Sequence, residues 1–387
     1  MVVPDPIPWS NGFPPGFVAF LDCTLNIQDV SNERHTGGRQ MSSHIHHGRR
    51  RFCGGALTTV AAQLGMVAFS KARASNGKLG DSGPVRSGTG ASFGVLRQVD
   101  AGLLNVGYAE AGHADGPAVI LLHGWPYDIH SYVDVAPLLA SAGYRVIVPY
   151  LRGYGTTTFL SHETFRNAQQ SAVAQDIIAL MDALRIERAI FGGFAWGSRT
   201  AVIMAALWPE RCKAIVAVSG YLITNLKANL QPLPPQAELG WWYQYYFATE
   251  RGKLGYSRNR YEFNKLIWKI ASPKWTFDDA TFGRTATAFN NPDHVSIVIH
   301  NYGWRLSLEA GEPQYEALEQ KLFQGPVVSV PTITIASDFD GAAADGAAYA
   351  KKFSGKYAHR ILEGIGHNVP QEAPHAFAQA VIDVDGY

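Results

Sequence analysis

The chain has 387 residues, 47% hydrophobic and 17% charged, which is enough apolar material for a large core and too little charge for a disordered chain. Lys and Arg number 33 against 32 Asp and Glu, a formal net charge of +1, so the basic excess that nucleic-acid binding draws on is missing. The three cysteines, Cys23, Cys53 and Cys212, are too few and too scattered for a disulfide framework or a structural zinc site.

The first eighty residues differ from the rest. Between Glu33 and Asp81 no acidic residue occurs, whereas eight Lys or Arg do. Arg49-Arg50-Arg51-Phe52 leads into a weakly apolar run from Cys53 to Phe69, followed by Ala72-Arg73-Ala74. A basic stretch, an apolar stretch and a small-residue cleavage pattern, in that order, read as an export signal. The paired arginines resemble a twin-arginine signal, which would deliver the protein to a bacterial periplasm. Gly54, Gly55, Thr58, Thr59 and Gln63 dilute the apolar run. It is therefore no stable membrane anchor, for which ~20 strongly apolar residues are needed. The competing reading is a basic amphipathic helix at the start of the fold. With Met41 opening the signal (41–74), residues 1–40 stand as an N-terminal extension without a role. Residues 75–92, rich in Ser, Gly, Asn, Asp, Pro and Lys, form a flexible lead-in.

From residue 93 strands and helices alternate. Gly94–Val99 and Leu103–Glu110 are two predicted strands joined by a turn at Asp100–Gly102. Ala118–Leu122 is a short apolar strand, Val133–Ala142 a helix, and Arg145–Tyr150 another buried strand. The periodicity then predicts a helix over Ala168–Leu184, a strand over Arg188–Phe194, a helix over Ser198–Leu207 and a strand over Lys213–Ser219. The pattern changes at Tyr221: up to about Val330 the chain is rich in Trp and Tyr and mostly helical. Strands return at Pro331–Ser337 and Tyr357–Leu362, and a last helix covers Gln371–Val384. Continuous Val and Ile strands between helices indicate an α/β fold whose mostly parallel sheet is covered on both faces. Residues 93–220 and 331–387 form that core, and 221–330 an inserted helical cap.

The turn after Phe191 reads Gly192-Gly193-Phe194-Ala195-Trp196-Gly197-Ser198. Gly193-x-Ala195-x-Gly197 has the spacing of a nucleophile elbow, in which a sharp strand-to-helix turn pushes its central side chain to the top of the sheet. That side chain is elsewhere Ser, Cys or Asp; here it is Ala. An ordinary glycine-rich βα turn is the plainer reading. A serine nucleophile is excluded, because Ser198 lies three residues past the elbow, already in the helix. The glycine spacing is also wrong for a dinucleotide-binding loop.

Three motifs in order, His123-Gly124-Trp125-Pro126, Gly193-Phe194-Ala195-Trp196-Gly197 and Gly364-Ile365-Gly366-His367, identify a resemblance. Residues 94 to 385 resemble the α/β-hydrolase fold, in its epoxide hydrolase and haloalkane dehalogenase branch. The resemblance implies an Asp nucleophile at position 195. Ala195 departs from it, and a methyl group neither attacks carbon nor forms an ester. The position reads either as a nucleophile removed deliberately, leaving an inactive form that still binds substrate, or as a natural pseudo-enzyme. His367, in a glycine-flanked loop before the last helix, corresponds to the general base that activates water. The family's spacing selects Asp340, three residues after the small Ser337, as the acid orienting His367. Asp338 is the alternative, with a turn-capping role as its plainer explanation. The fold implies that the backbone N–H groups of Trp125 and Trp196 form the oxyanion site.

In the cap, Trp242-Tyr243-Gln244 and His300-Asn301-Tyr302-Gly303-Trp304-Arg305 resemble the segments carrying the two ring-opening tyrosines of epoxide hydrolases. This maps the roles to Tyr243 and Tyr302, although Tyr245, Tyr246 and Tyr261 compete and Gly303 departs from the bulkier residue frequent there. Two phenols on one oxygen suit an epoxide, whose alkoxide leaves poorly without a proton. Two further functions stay open: a haloalkane or haloacid dehalogenase of the same fold, and a non-catalytic ligand-binding protein. The aromatic cap points to a small apolar or aromatic substrate. No metal-ligand cluster is visible, and no cofactor is expected.

Overall fold

The computed structural model describes residues 93–387. The expected extension, export signal and lead-in lie outside the described residues.

The core is one sheet of nine strands. The strands are β1 (Arg97–Ala101), β2 (Leu104–Ala111), β3 (Ala118–Leu122), β4 (Arg145–Pro149), β5 (Thr158–Phe159), β6 (Ala189–Gly193), β7 (Cys212–Val218), β8 (Thr332–Ser337) and β9 (Tyr357–Leu362). Their order is β1-β2-β4-β3-β6-β7-β8-β9, with β5 paired to β2. The pairs of β2 with β1, β4 and β5 are antiparallel, and the run from β4 to β9 is parallel. β6 and β8 are buried at every residue and β3, β4 and β7 at all but one. Apolar side chains on both faces of a strand fit only a sheet covered on both sides. The two-residue β5 carries no hydrophobic period of its own, and the sequence pattern does not reveal it.

Two pairs of helices cover the sheet. α1 (Val135–Ser141) packs on the last helix, and α2 (Gln170–Ala183) packs on α3 (Trp196–Leu207). Between β7 and β8 run α4 (Leu226–Asn229), α5 (Pro235–Gly240), α6 (Trp242–Phe247), α7 (Glu250–Ala271), α8 (Asp279–Ala286), α9 (His294–Arg305) and α10 (Glu316–Phe323). α6, α7 and α9 pack on one another. The predicted final helix is split into α11 (Val369–Glu372) and α12 (Pro374–Asp385). Pro374 has no N–H to continue a helix and instead starts one, where that donor is not needed. No helix among the described residues is long and apolar enough to cross a membrane.

The inserted helices are tied to the core by buried polar groups. Glu319 of α10 accepts from Ser171 N (3.0 Å) and Gln170 Nε2 (3.0 Å) at the start of α2. Satisfying a first-turn backbone N–H, that of Ser171, with a carboxylate suits the positive end of the helix dipole.

Candidate active site

β6 ends in Gly193, and after Phe194 the chain turns through Ala195 into α3. Ala195 has φ 50° and ψ −127°, a conformation that costs ~1–3 kcal/mol and persists where the surroundings impose it. Gly197 is what allows the turn: a Cβ there would lie 1.8 Å from Leu122 O. The Ala195 side chain thereby stands at the head of α3, whose first amides have no acceptor within the helix.

The loop after β3 comes up beside it. At Gly124 a Cβ would lie 2.4 Å from Ala195 Cβ and 2.5 Å from Trp196 N. Only glycine lets this loop reach the elbow, which brings Trp125 next to Trp196. His123 holds the loop from below: its Nε2 accepts from Leu151 N (3.2 Å), and burial lowers its pKa to about 4, keeping the ring neutral. Asp128, fully buried, accepts from His130 N (3.0 Å), His130 Nδ1 (2.8 Å) and Thr285 Oγ1 (2.8 Å), joining the loop to α8.

Trp125, Ala195, Trp196, Tyr243, Tyr302 and His367, residues named from the sequence, all line one cavity of about 890 Å³ including its mouth. Tyr243 comes from α6 and Tyr302 from α9. Their ring centroids are 5.3 Å apart at 82°, and each packs on Trp125, at 4.9 and 5.3 Å. Burial pushes the Tyr302 phenol up to about 12, while Arg305, the Trp196 indole, Arg199 and the Tyr243 hydroxyl pull it down. The phenol is therefore protonated at neutral pH. The Trp125 indole is locked: Nε1 donates to Tyr256 Oη (2.8 Å), and that hydroxyl meets His294 Nε2 (2.9 Å). His294 Nδ1 lies 2.9 Å from Gly153 O, which only accepts, so Nδ1 carries the proton and Nε2 accepts from Tyr256. Burial lowers the His294 pKa to about 3.

His367 follows β9 in the loop before α11. Burial alone lowers its pKa to about 3, leaving the imidazole neutral. The loop is held through Ser272, at the end of α7, and Glu372. His367 N donates to Ser272 Oγ (3.0 Å), and Ser272 Oγ donates to Glu372 Oε1 (2.6 Å). Glu372 also accepts from Gly366 N (2.7 Å) and Asn368 N (3.0 Å).

The two candidate acids part ways. Asp338 accepts from Lys274 Nζ and from Gly364 N (3.0 Å), binding the turn at the surface. Asp340 is 2% exposed, and its Oδ2 accepts from Ser337 N (2.7 Å). Burial pushes its carboxyl up to about 7. His367 Nδ1 is buried and makes no hydrogen bond among the described residues, so the contact of His367 with Asp340 is not formed in this structure. The ring packs instead on Phe339, at 4.1 Å between centroids.

The sequence reading missed Arg199, Arg305, Trp241 and Phe339, which line the cavity, and the Ser272–Glu372 pair. Helical spacing held a signal for the arginines. Arg199 is four residues after Ala195, and Arg305 three after Tyr302, each on the face of its site residue.

Residues 117–257 match the model of the α/β-hydrolase fold family. Epoxide hydrolase B of Mycobacterium tuberculosis is 32% identical over 149 residues, 35% of this chain and 41% of that protein. The chain thus matches less than half the length of this curated relative. Epoxide hydrolase A of the same organism is 25% identical over 313 residues, 74% of this chain and 96% of that protein. The crystal structure of a presumed epoxide hydrolase from Klebsiella pneumoniae is 58% identical, covers 76% of this chain and 97% of its own, and superposes with a TM-score of 0.73. The chain belongs to the α/β-hydrolases, in their epoxide hydrolase-like family.

Proposed function

We propose that this site binds an epoxide and, with a carboxylate at position 195, opens it to a diol. The observation that carries this is the pairing of Tyr243 and Tyr302 across the cavity that Ala195 and His367 also line. An Asp oxygen at 195 attacks one epoxide carbon, the C–O bond breaks, and the leaving oxygen takes a proton from a phenol. His367 then removes a proton from water, which attacks the ester carbonyl. The Trp125 and Trp196 amides hold the oxyanion until the ester C–O bond breaks. The departing alkoxide takes the proton of the re-formed carboxylic acid, and the proton held by His367 returns through water to the phenolate. Ala195 supplies no nucleophile, so the chain as written binds substrate without turning it over by this route.

Release of halide by the same ester chemistry requires N–H donors for the halide. The Trp125 indole N–H is committed to Tyr256. This leaves the Trp196 indole as the one of these two rings able to meet a halide, and one donor rather than a pair favours the epoxide.

The test is a product assay on Ala195→Asp beside the unaltered chain, with aryl and alkyl epoxides, haloalkanes and haloacids. Diol from the Asp form alone is expected. Halide release without diol, or no product from a folded Asp form, would overturn the reading.

A further inference from the structure

Along α7 six Lys or Arg stand against two acids, Glu250 and Glu262, whereas the whole chain carries a net charge of +1. Lys253 meets Glu250 and Glu309, and Lys265 meets Asp279. Arg260 donates to the neutral Ser257 O and Asn290 Oδ1. Arg251, Arg258 and Lys269 are exposed and form no ion pair among the described residues. Leu254, Leu266 and Ile270 are exposed among them, at 51%, 46% and 37%. Spacings of three and four residues place such neighbours on one helix face. Arg251, Leu254 and Arg258 share a face before the break in helical backbone at Asn259 (φ −120°, ψ 27°), and Leu266, Lys269 and Ile270 share one after it.

The same helix walls the cavity. Ile267, Ile270 and Ala271 line it, and Ile270 is the most exposed of the lining residues. Gly240, at the end of α5, lines it too; open space surrounds the place where its Cβ would stand, and Leu239 beside it is 48% exposed. The cavity therefore opens where apolar and basic side chains meet solvent together.

Exposed apolar side chains set among unpaired cations are the composition that enters the headgroup layer of an anionic bilayer. The stretch of this chain from 34 to 80 carries basic residues and no acid, so its charge has the wrong sign to cover α7. A folded partner seated on this face would close the opening. A bilayer covers it and still delivers small apolar molecules dissolved among its acyl chains.

We propose that the outer face of α7 docks on an anionic lipid surface with the cavity opening turned toward the bilayer. Leu254, Leu266 and Ile270 enter the headgroup boundary, and Arg251, Arg258 and Lys269 meet the lipid phosphates. An apolar substrate then enters from the lipid rather than from water. The contact is peripheral and needs no membrane-spanning helix, and it stands whatever chemistry the cavity performs.

The test is flotation of the full chain with vesicles of phosphatidylcholine alone and of phosphatidylcholine mixed with phosphatidylglycerol. Binding to the mixed vesicles is expected, weakened at least about 10-fold on the neutral vesicles or at about 0.5 M salt. Arg251→Gln, Arg258→Gln and Lys269→Gln combined should weaken it at least about 10-fold, and so should Leu254→Ser with Leu266→Ser. Removing as many charges elsewhere, with Arg188→Gln, Lys321→Gln and Lys351→Gln combined, should change it by less than about 3-fold. The stretch from 34 to 80 is present in every form, so its own pull on the vesicles cancels in the comparison. All the substituted side chains are exposed, and circular dichroism checks that each variant is folded. No binding to the mixed vesicles, equal binding to the neutral ones, or binding that the α7 variants leave unchanged overturns the proposal. So does a dimer, seen by sedimentation without lipid, that the leucine variant abolishes, because the face then belongs to a second copy of the chain.

Discussion

Tyr243 and Tyr302 come from separate helices of the insertion, α6 and α9, and their rings cross at 82° with centroids 5.3 Å apart. Both pack on Trp125, which belongs to the loop after β3. One indole thus sets both phenols against the elbow. If the phenols share the leaving oxygen, each loss should be felt in the step that opens the ring. In an Ala195→Asp background, Tyr302→Phe and Tyr243→Phe should each slow ester formation by about 10- to 100-fold, and together by more than either alone. Single-turnover kinetics with an aryl epoxide would show this. Full activity in the double variant would remove the phenols from the mechanism.

The lock on Trp125 has its own signature. Tyr256 Oη takes the Trp125 indole proton and meets His294 Nε2. Tyr256→Phe leaves a buried donor and a buried acceptor unpaired, at a cost of about 2–3 kcal/mol. Thermal melting should show a clear drop in Tm, whereas the same substitution at the exposed Tyr261 should leave it nearly unchanged.

Glu372 binds three groups around the His367 loop: Gly366 N, Asn368 N and Ser272 Oγ. Glu372→Ala should cost about 3 kcal/mol or more, because those donors stay buried. Glu372→Gln should cost less, since its amide oxygen still accepts while its NH₂ meets a donor. Denaturant titration of the pair tests the order, and equal stability of the two would refute it.

Acid should destabilise the protein. His123, His294 and His367 are held neutral, with pKa values lowered from 6.5 to about 4, 3 and 3. Below pH 6.5 the unfolded chain binds these protons and the native state does not, so stability falls as pH falls. Between pH 7 and 5 each histidine contributes a loss of about 2 kcal/mol. Asp340, raised from 3.8 to about 7, acts the other way, and its native form gains about 2 kcal/mol over the same range. Asp176 and Glu372, also raised by burial, act with Asp340, and His300, lowered by burial, acts with the three histidines; the net expectation is a fall in stability, read as a falling denaturation midpoint. A midpoint that rises from pH 7 to 5 would contradict it.

Much of the fold was legible because its strands are buried on both faces and read as unbroken apolar runs. Ala118–Leu122 and Tyr357–Leu362 carry the bounds that the pattern predicts. The start of α3 at Trp196, two residues before the predicted Ser198, was not legible, because the elbow sets it and not helical periodicity. The site was legible where local motifs carry it: Trp125, Ala195, Trp196, Tyr243, Tyr302 and His367 come together in one cavity. What was not legible depends on distant parts of the chain. Arg199 and Arg305 meet one cavity from helices about a hundred residues apart in sequence. Ser272 and Glu372 join across a hundred residues, and neither lies in the motifs that drew attention. Asp340 is selected by spacing, but spacing does not fix which way a buried carboxylate points. Here it caps Ser337 N.

The central claim is that position 195 is the seat of a covalent ester. The most direct measurement is intact-protein mass spectrometry of the Ala195→Asp, His367→Gln double variant after incubation with an aryl epoxide. Without the base that activates water, the ester should accumulate. The mass should rise by one substrate molecule, peptide mapping should place it at residue 195, and His367→Gln alone should show no adduct. A folded double variant that binds the epoxide and gains no mass would contradict the account.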